Sequence, residues 1–147
     1  MKEWEVAARE AVRDLLARYN FCGDRGRFEE LLDLFADDAT LVTDMGTHVG
    51  KPAIRQLFLG AVDPEPQRIR HFTSTVVIDC VAGDRATARS YFQVLTGGGV
   101  DHWGTYRDVL VRLGDRWFFS RREVRVDGMV PGGWADRRLN PHGHDAP

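Results

Sequence analysis

The sequence predicts an α+β domain in which N-terminal helices cover one face of a bent antiparallel sheet. Three observations carry this expectation. Apolar residues recur at helical spacing early in the chain; from Arg70 onward, strand-like runs alternate with short turn-forming breaks; and no linker, repeat or low-complexity run divides the two regions. A chain of 147 residues, 43% hydrophobic and 29% charged, suits one globular domain. Such a domain buries roughly 68–70% of its unfolded surface, so it needs neither a metal nor a disulfide to fold.

Trp4, Ala8, Ala11, Leu15, Tyr19 and Cys22 fall three or four residues apart and draw one face of a long helix, with Gly23 as its stop. A second helical run has Phe28, Leu31, Leu32 and Phe35 as its apolar face and ends at Asp37-Asp38, a turn-favouring pair. Ala39 to Thr43 reads as a short strand, and Gly46 to Gly50 as a turn with a second strand piece. Pro52 suits the first turn of a short helix running through Leu57 and Phe58 to Gly60. Asp63-Pro64-Glu65-Pro66 cannot continue it and marks a loop. Four strands are then expected, at His71–Cys80, Ala86–Leu95, Trp103–Leu113 and Trp117–Val126. The short breaks between them imply hairpins and a meander. A sheet this bent, under helices, forms a cone whose mouth is an apolar, ligand-sized pocket. The domain is expected to span 1–130, with 131–147 as a tail wandering over the surface.

Composition narrows the partners. With 20 basic and 22 acidic residues the formal net charge is −2, which does not suit a general nucleic-acid or anionic-membrane binder. The run Arg121-Arg122-Glu123-Val124-Arg125 is broken by an acid within a strand pattern, and Arg137-Arg138 accompanies no known binding module. Cys22 and Cys80 form no Cys-x-x-Cys motif, no apolar run is long enough for a membrane span, and the N-terminus is charged. A reduced cytoplasmic protein is the expectation.

Three polar residues fall where this layout buries them. His71 opens the first long strand, Asp24 sits at the corner between the first two helices, and Arg122 lies on the last strand, on the side of Phe118, Ser120 and Val124 by period-two counting. Each has an ordinary alternative: Asp24 as a helix cap, His71 as a structural donor, Arg122 as an ion-paired arginine. Together they suit proton abstraction. An imidazole takes a proton near neutrality, a carboxylate fixes its tautomer and stabilises the imidazolium, and a phenol or guanidinium stabilises a developing oxyanion or leaving group. Met45, Trp103, Tyr106 and Met129 are candidates for lining the mouth, against the commoner reading as plain core. His48, His102, His142 and His144 complete no closed metal site and are expected at the surface; Gly97-Gly98-Gly99 lacks the residues of a phosphate loop. Neither metal nor cofactor is expected.

Tyr19-x-x-Cys22-x-Asp24-x-x-x-Phe28-x-x-Leu31 resembles the first corner of the SnoaL-like branch of the nuclear transport factor two-like superfamily. So do Leu34 to Ala39, Gly50 to Ile54, Arg70 to Thr75 and Gly104 to Asp108. The likeness runs from about Ala11 to Val126 and implies a cystatin-like cone. Within it the chain is most similar to dehydratase-type members: scytalone dehydratase, bile acid 7α-dehydratase and hexachlorocyclohexane dehydrochlorinase. The resemblance implies a cofactor-independent lyase or isomerase acting on a small, largely apolar ring compound, with Asp24 and His71 as the proton-abstracting pair and Tyr19 and Arg122 as supporting groups. Gln93 or Val94 stands where the bile acid enzyme has a further acid, which weakens the case for a steroid. The superfamily also contains non-catalytic assembly subunits, polyketide cyclases and epoxide hydrolases, and its members form homodimers or homotrimers.

Overall fold

The computed structural model describes residues 1–62 and 68–143. The loop expected at Asp63–Pro66, and His144, lie outside the described residues. The order of elements is α1 (Glu3–Asp24), α2 (Phe28–Leu32), β1 (Phe35–Thr43), β2 (Gly46–Val49), α3 (Lys51–Gly60), β3 (Arg70–Ala82), β4 (Arg85–Thr96), β5 (Gly99–Leu113), β6 (Arg116–Met129) and α4 (Trp134–Leu139). The strands form one curved, unclosed sheet in the order β2-β1-β6-β5-β4-β3.

The meander from β3 to β6 is antiparallel throughout, as the short breaks predict. The pairing of β1 with β6 is parallel, which no turn in the sequence signals, because these strands are far apart in the chain. That pairing also corrects the second helix. It stops at Leu32, and Phe35 opens β1 opposite Phe119, so the residues through Asp38 belong to a strand. Leu34 C=O accepts from Phe119 N–H at 2.9 Å, and Phe35 and Phe119 are both fully buried. Tertiary pairing overrides the helical spacing here.

The core lies between α1 and the sheet. Val12, Leu15 and Leu16 of α1 pack with Phe35, Leu41, Ile54, Ile78, Leu110 and Phe119. Two β-bulges decide which residues face that core. In β6 the extra residue is Ser120, so the inward side runs through Trp117 and Phe119, then switches to Arg122 and Val124. Arg122 therefore shares a side with Phe119, not with Phe118 and Ser120 as simple alternation predicts. In β3 the ladder slips between Ser74 and Val77, at Thr75 with φ +52°, a left-handed conformation that is strained for a β-branched residue. His71 and Thr73 face inward before the slip, Ile78 after it.

Part of the region expected as a wandering tail is ordered. Residues 134–139 form α4, which docks on β5 with Ala135 buried. Among the described residues, no helix is long and apolar enough to cross a membrane.

Candidate active site

Asp24 ends α1, and His71 is the second residue of β3, an edge strand of the sheet whose outer side has no neighbouring strand. The carboxylate fills that place. Asp24 Oδ2 accepts from the His71 backbone N–H at 3.0 Å, and Asp24 Oδ1 lies 2.6 Å from His71 Nδ1. A carboxylate facing Nδ1 assigns the proton to that nitrogen and leaves Nε2 as the basic one. Among the described residues, no hydrogen bond occupies Nε2. Asp24 is buried, with 7% of its side chain exposed, while His71 keeps 29%. The cap reading of Asp24 does not hold, since α2 has Arg27 as its N-cap residue and no side-chain cap hydrogen bond.

One turn earlier on α1, Asn20 repeats the stitch. Its Nδ2 donates to Thr73 Oγ1 at 2.7 Å, and its Oδ1 accepts from the Tyr106 hydroxyl at 3.1 Å. Helix and edge strand thus meet at two successive polar rungs. Between them runs a cleft of about 560 Å³ with Leu16, Ala17 and Val76 among its apolar walls and Asn20, Asp24 and His71 at the polar end. A cleft of this size accommodates a small organic ligand.

The other sequence-derived candidates fall elsewhere. Arg122 is fully buried and held in a bidentate pair, Nε to Asp108 Oδ1 at 2.9 Å and Nη2 to Oδ2 at 3.2 Å. Its guanidinium carbon lies 3.8 Å from the Tyr106 ring centroid, 4.0 Å from Tyr19 and 4.6 Å from Phe119. Burial pushes the Asp108 carboxyl up to about 6 against the pull of Arg122, and burial raises both phenols. Tyr19 and Arg122 thus form an interior cluster, linked through Tyr106 and Asn20 to Thr73 of β3, and neither lines the cleft. Of the expected mouth residues, Tyr106 is buried in that cluster. Met45 is 71% exposed at the β1–β2 turn, and Trp103 is 43% exposed on the outward face, with its ring over Gly128. Met129 takes a contact from Asn140 Nδ2 to its sulfur at 3.9 Å. None of the four lines the cleft.

A second imidazole–carboxylate pair stands beside the first. His102 is not at the surface but buried, its Nδ1 2.8 Å from Asp101 Oδ2. Its ring is 6.5 Å from that of His71, nearly perpendicular, and stacks on Trp134 at 5.9 Å. Asp101 also accepts from the backbone N–H groups of Trp134 and Ala135, at 2.6 and 3.0 Å, and so fastens α4. Burial lowers the His102 basicity despite its carboxylate, and the His71 imidazole adds to the lowering. Burial pushes the Asp101 carboxyl up, but His102 and the two backbone donors outweigh it and hold it below the ordinary range. Sequence reasoning missed this pair. The adjacency Asp101-His102 beside a glycine-rich break was its only signal. His48 is half-buried rather than exposed, and His142 is exposed. Among the described residues, no group of three His, Cys, Asp or Glu side chains could hold a metal ion.

Solved structures share this frame. An NTF2-like protein of cystatin-like fold from Novosphingobium aromaticivorans is 29% identical, with a TM-score of 0.71 and coverage of 92% of this chain and 90% of that one. A candidate scytalone dehydratase from the same organism superposes with a TM-score of 0.77 at 22% identity, covering 88% and 91%. Hexachlorocyclohexane dehydrochlorinase LinA-type3 from Novosphingobium barchaimii gives 0.75 at 20%, covering 86% and 91%. No curated protein matches the chain at a significant level. The family model of the SnoaL-like domain matches residues 4–123, a span that includes α1, the whole meander up to Glu123, and both members of the Asp24–His71 pair. By that match and by its curved sheet closed under α1, the chain belongs to the SnoaL-like domain family.

Proposed function

We propose that the protein is a cofactor-independent lyase or isomerase, of dehydratase type, acting on a small apolar ring compound. The observation that carries this reading is the commitment of both Asp24 oxygens to His71, one to Nδ1 and one to the backbone N–H. A carboxylate so held orients the ring and stabilises the imidazolium, and His71 is among the residues lining a cleft with apolar walls. His71 Nε2 takes a proton from a carbon acid. The C–H electron pair then either enters a carbonyl as an enolate, or forms a C=C bond as a leaving group departs with its own bonding pair. The imidazolium returns the proton to carbon in an isomerisation, or to a departing hydroxide as water.

Tyr19 and Arg122, with Asp108, shape the interior wall behind the dyad and do not touch the reacting atoms. The candidate dehydratase and the dehydrochlorinase of the same fold support the reaction class. A non-catalytic subunit would leave His71 walled off, whereas its side chain borders the cleft. A hydrolase arrangement of two acids about an arginine has less support, since among the described residues only Asp108 pairs with Arg122. The reading includes a reduced cytoplasmic setting, consistent with the free Cys22 and Cys80. It includes self-association as a dimer or trimer through Phe72, Tyr91 and Trp103, each about half exposed on the outward face of β3, β4 and β5. A one-chain mass by light scattering would remove that part.

The test is solvent deuterium exchange into a panel of cyclic ketones such as 2-tetralone, followed by NMR. The wild-type chain accelerates exchange of at least one member. His71→Ala loses roughly 10²–10⁴-fold, and Asp24→Asn most of that, with far-UV spectra unchanged. Folded variants with undiminished exchange remove the proposal.

A further inference from the structure

The cleft beside the dyad carries a charge that proton abstraction does not use. Arg25 follows Asp24 at the end of α1, Arg70 precedes His71 at the start of β3, and all four residues line the cleft. Arg13 stands at the far end of the same cleft, three helical turns from Asp24, or about 16 Å along α1. The Arg25 guanidinium lies 5.0 Å over the exposed Phe21 ring, and Arg70 Nη1 donates to its neighbour's carbonyl, Ile69 C=O, at 2.8 Å. Among the described residues none of the three forms an ion pair, whereas seven other exposed arginines do. The one acid lining the cleft is Asp24, and its charge is committed to His71. Three exposed, unpaired cations around an apolar hollow attract an anion, and a guanidinium presents paired donors that match a carboxylate.

We infer that the cleft takes a ring compound bearing an anionic group, a carboxylate or its chemical equivalent, held between Arg25 and Arg70 with the ring against the apolar walls. The inference rests on the proposed lyase reading for setting that ring beside His71. It narrows the substrate class from neutral apolar rings to ring acids.

Binding of 2-naphthoate and of 2-naphthamide, the same ring with and without the charge, is the test, measured by isothermal titration on the full chain. The wild type binds the naphthoate about five-fold or more tighter at about 50 mM salt, and the advantage shrinks at about 500 mM, because exposed charges are screened. Arg25→Gln and Arg70→Gln each reduce the preference by roughly two- to five-fold, the pair together abolishes it, and Arg13→Gln lowers it less. Naphthamide affinity stays unchanged in all of them. All three side chains are exposed, so the variants keep the wild-type melting temperature. Equal affinity for the two probes, a preference that survives the double variant, or no naphthoate binding up to about 10 mM each overturns the inference. The readout needs no turnover, so it separates from the proposal above. A protein that prefers naphthoate but exchanges no ketone protons keeps this inference and loses the lyase reading. One that exchanges ketones without preferring the acid loses this inference alone.

Discussion

Arg122 and Asp108 show how much the interior depends on single side chains. Both are removed from water, and two hydrogen bonds and three aromatic faces compensate the guanidinium for its lost hydration. Removing one partner strands the other charge. Asp108→Ala should lose about 3–5 kcal/mol by urea unfolding, and the double variant Arg122→Met with Asp108→Leu should recover most of it. A double variant no more stable than the single would show that the aromatic packing on the guanidinium, not the stranded charge, sets the cost. Glycines give a second comparison at this scale. A Cβ on Gly104 meets the Arg125 carbonyl and the Phe92 ring, whereas on Gly128 its nearest neighbours are atoms of the half-exposed Trp103 ring, a side chain with room to move outward. Gly104→Ala should cost at least about 2 kcal/mol and Gly128→Ala clearly less; equal midpoint shifts would contradict this. Asp24, His71 and Arg122 were legible in the sequence as polar residues in buried settings. The partners of Arg122 were not, because Asp108 stands opposite it on the neighbouring strand only after the Ser120 bulge shifts the register by one residue.

What hid the rest lies in the elements. Alternation identifies inward residues only while a ladder keeps its register, and in this sheet bulges interrupt it at Ser120, near Thr75 and at Asp101. Asp101 is the extra residue between the pairs Val94–His102 and Leu95–Val100, so it and His102 are both buried although they are consecutive. No period-two reading yields that, and α4 was lost with it, since the helix is too short to announce itself and its first turn is fastened by Asp101. The anchor predicts a pH dependence. Burial places the folded His102 pKa below its ordinary 6.5, so the unfolded chain takes up the proton first. This contribution to stability is complete above about 6.5 and is lost as pH falls toward the folded value. The lowered Asp101 acts in the same direction only below about 4. Asp108, raised to about 6, acts oppositely, gaining stability on acidification, but cancels between proteins that share it. The melting-temperature advantage of wild type over His102→Gln should therefore shrink between about pH 7 and 5. Parallel curves would place His102 outside the anchor.

At the scale of the molecule, the α+β class and the meander were legible because they rest on local signals, namely helical spacing, strand runs and turn residues. The closure of the fold was legible only in part: the parallel pairing of β1 with β6 has no local signal, and α1 against the edge of β3 was expected only through the Asp24–His71 pair that the resemblance implies. The two kinds of contact differ in how they open. β5 has a full ladder on both sides, and its inward residues Tyr106 and Leu110 are buried. β3 has a ladder on one side only and, at the site, leans on the side chains of Asn20 and Asp24. Hydrogen exchange should follow that gradient. Amides of β4, β5 and β6 near Phe92, Tyr106 and Phe119 should exchange only by global unfolding, while β2 and α4 exchange first. The His71 amide should fall between, because its acceptor is the Asp24 carboxylate rather than a neighbouring strand. Asp24→Asn weakens that acceptor from a carboxylate to an amide oxygen, so exchange at His71 and Thr73 should rise by about ten-fold or more with β5 unchanged. If protection fell uniformly across the sheet, α1 and β3 would be part of the same cooperative unit as the meander, and the cleft could not open to a ligand without unfolding the domain.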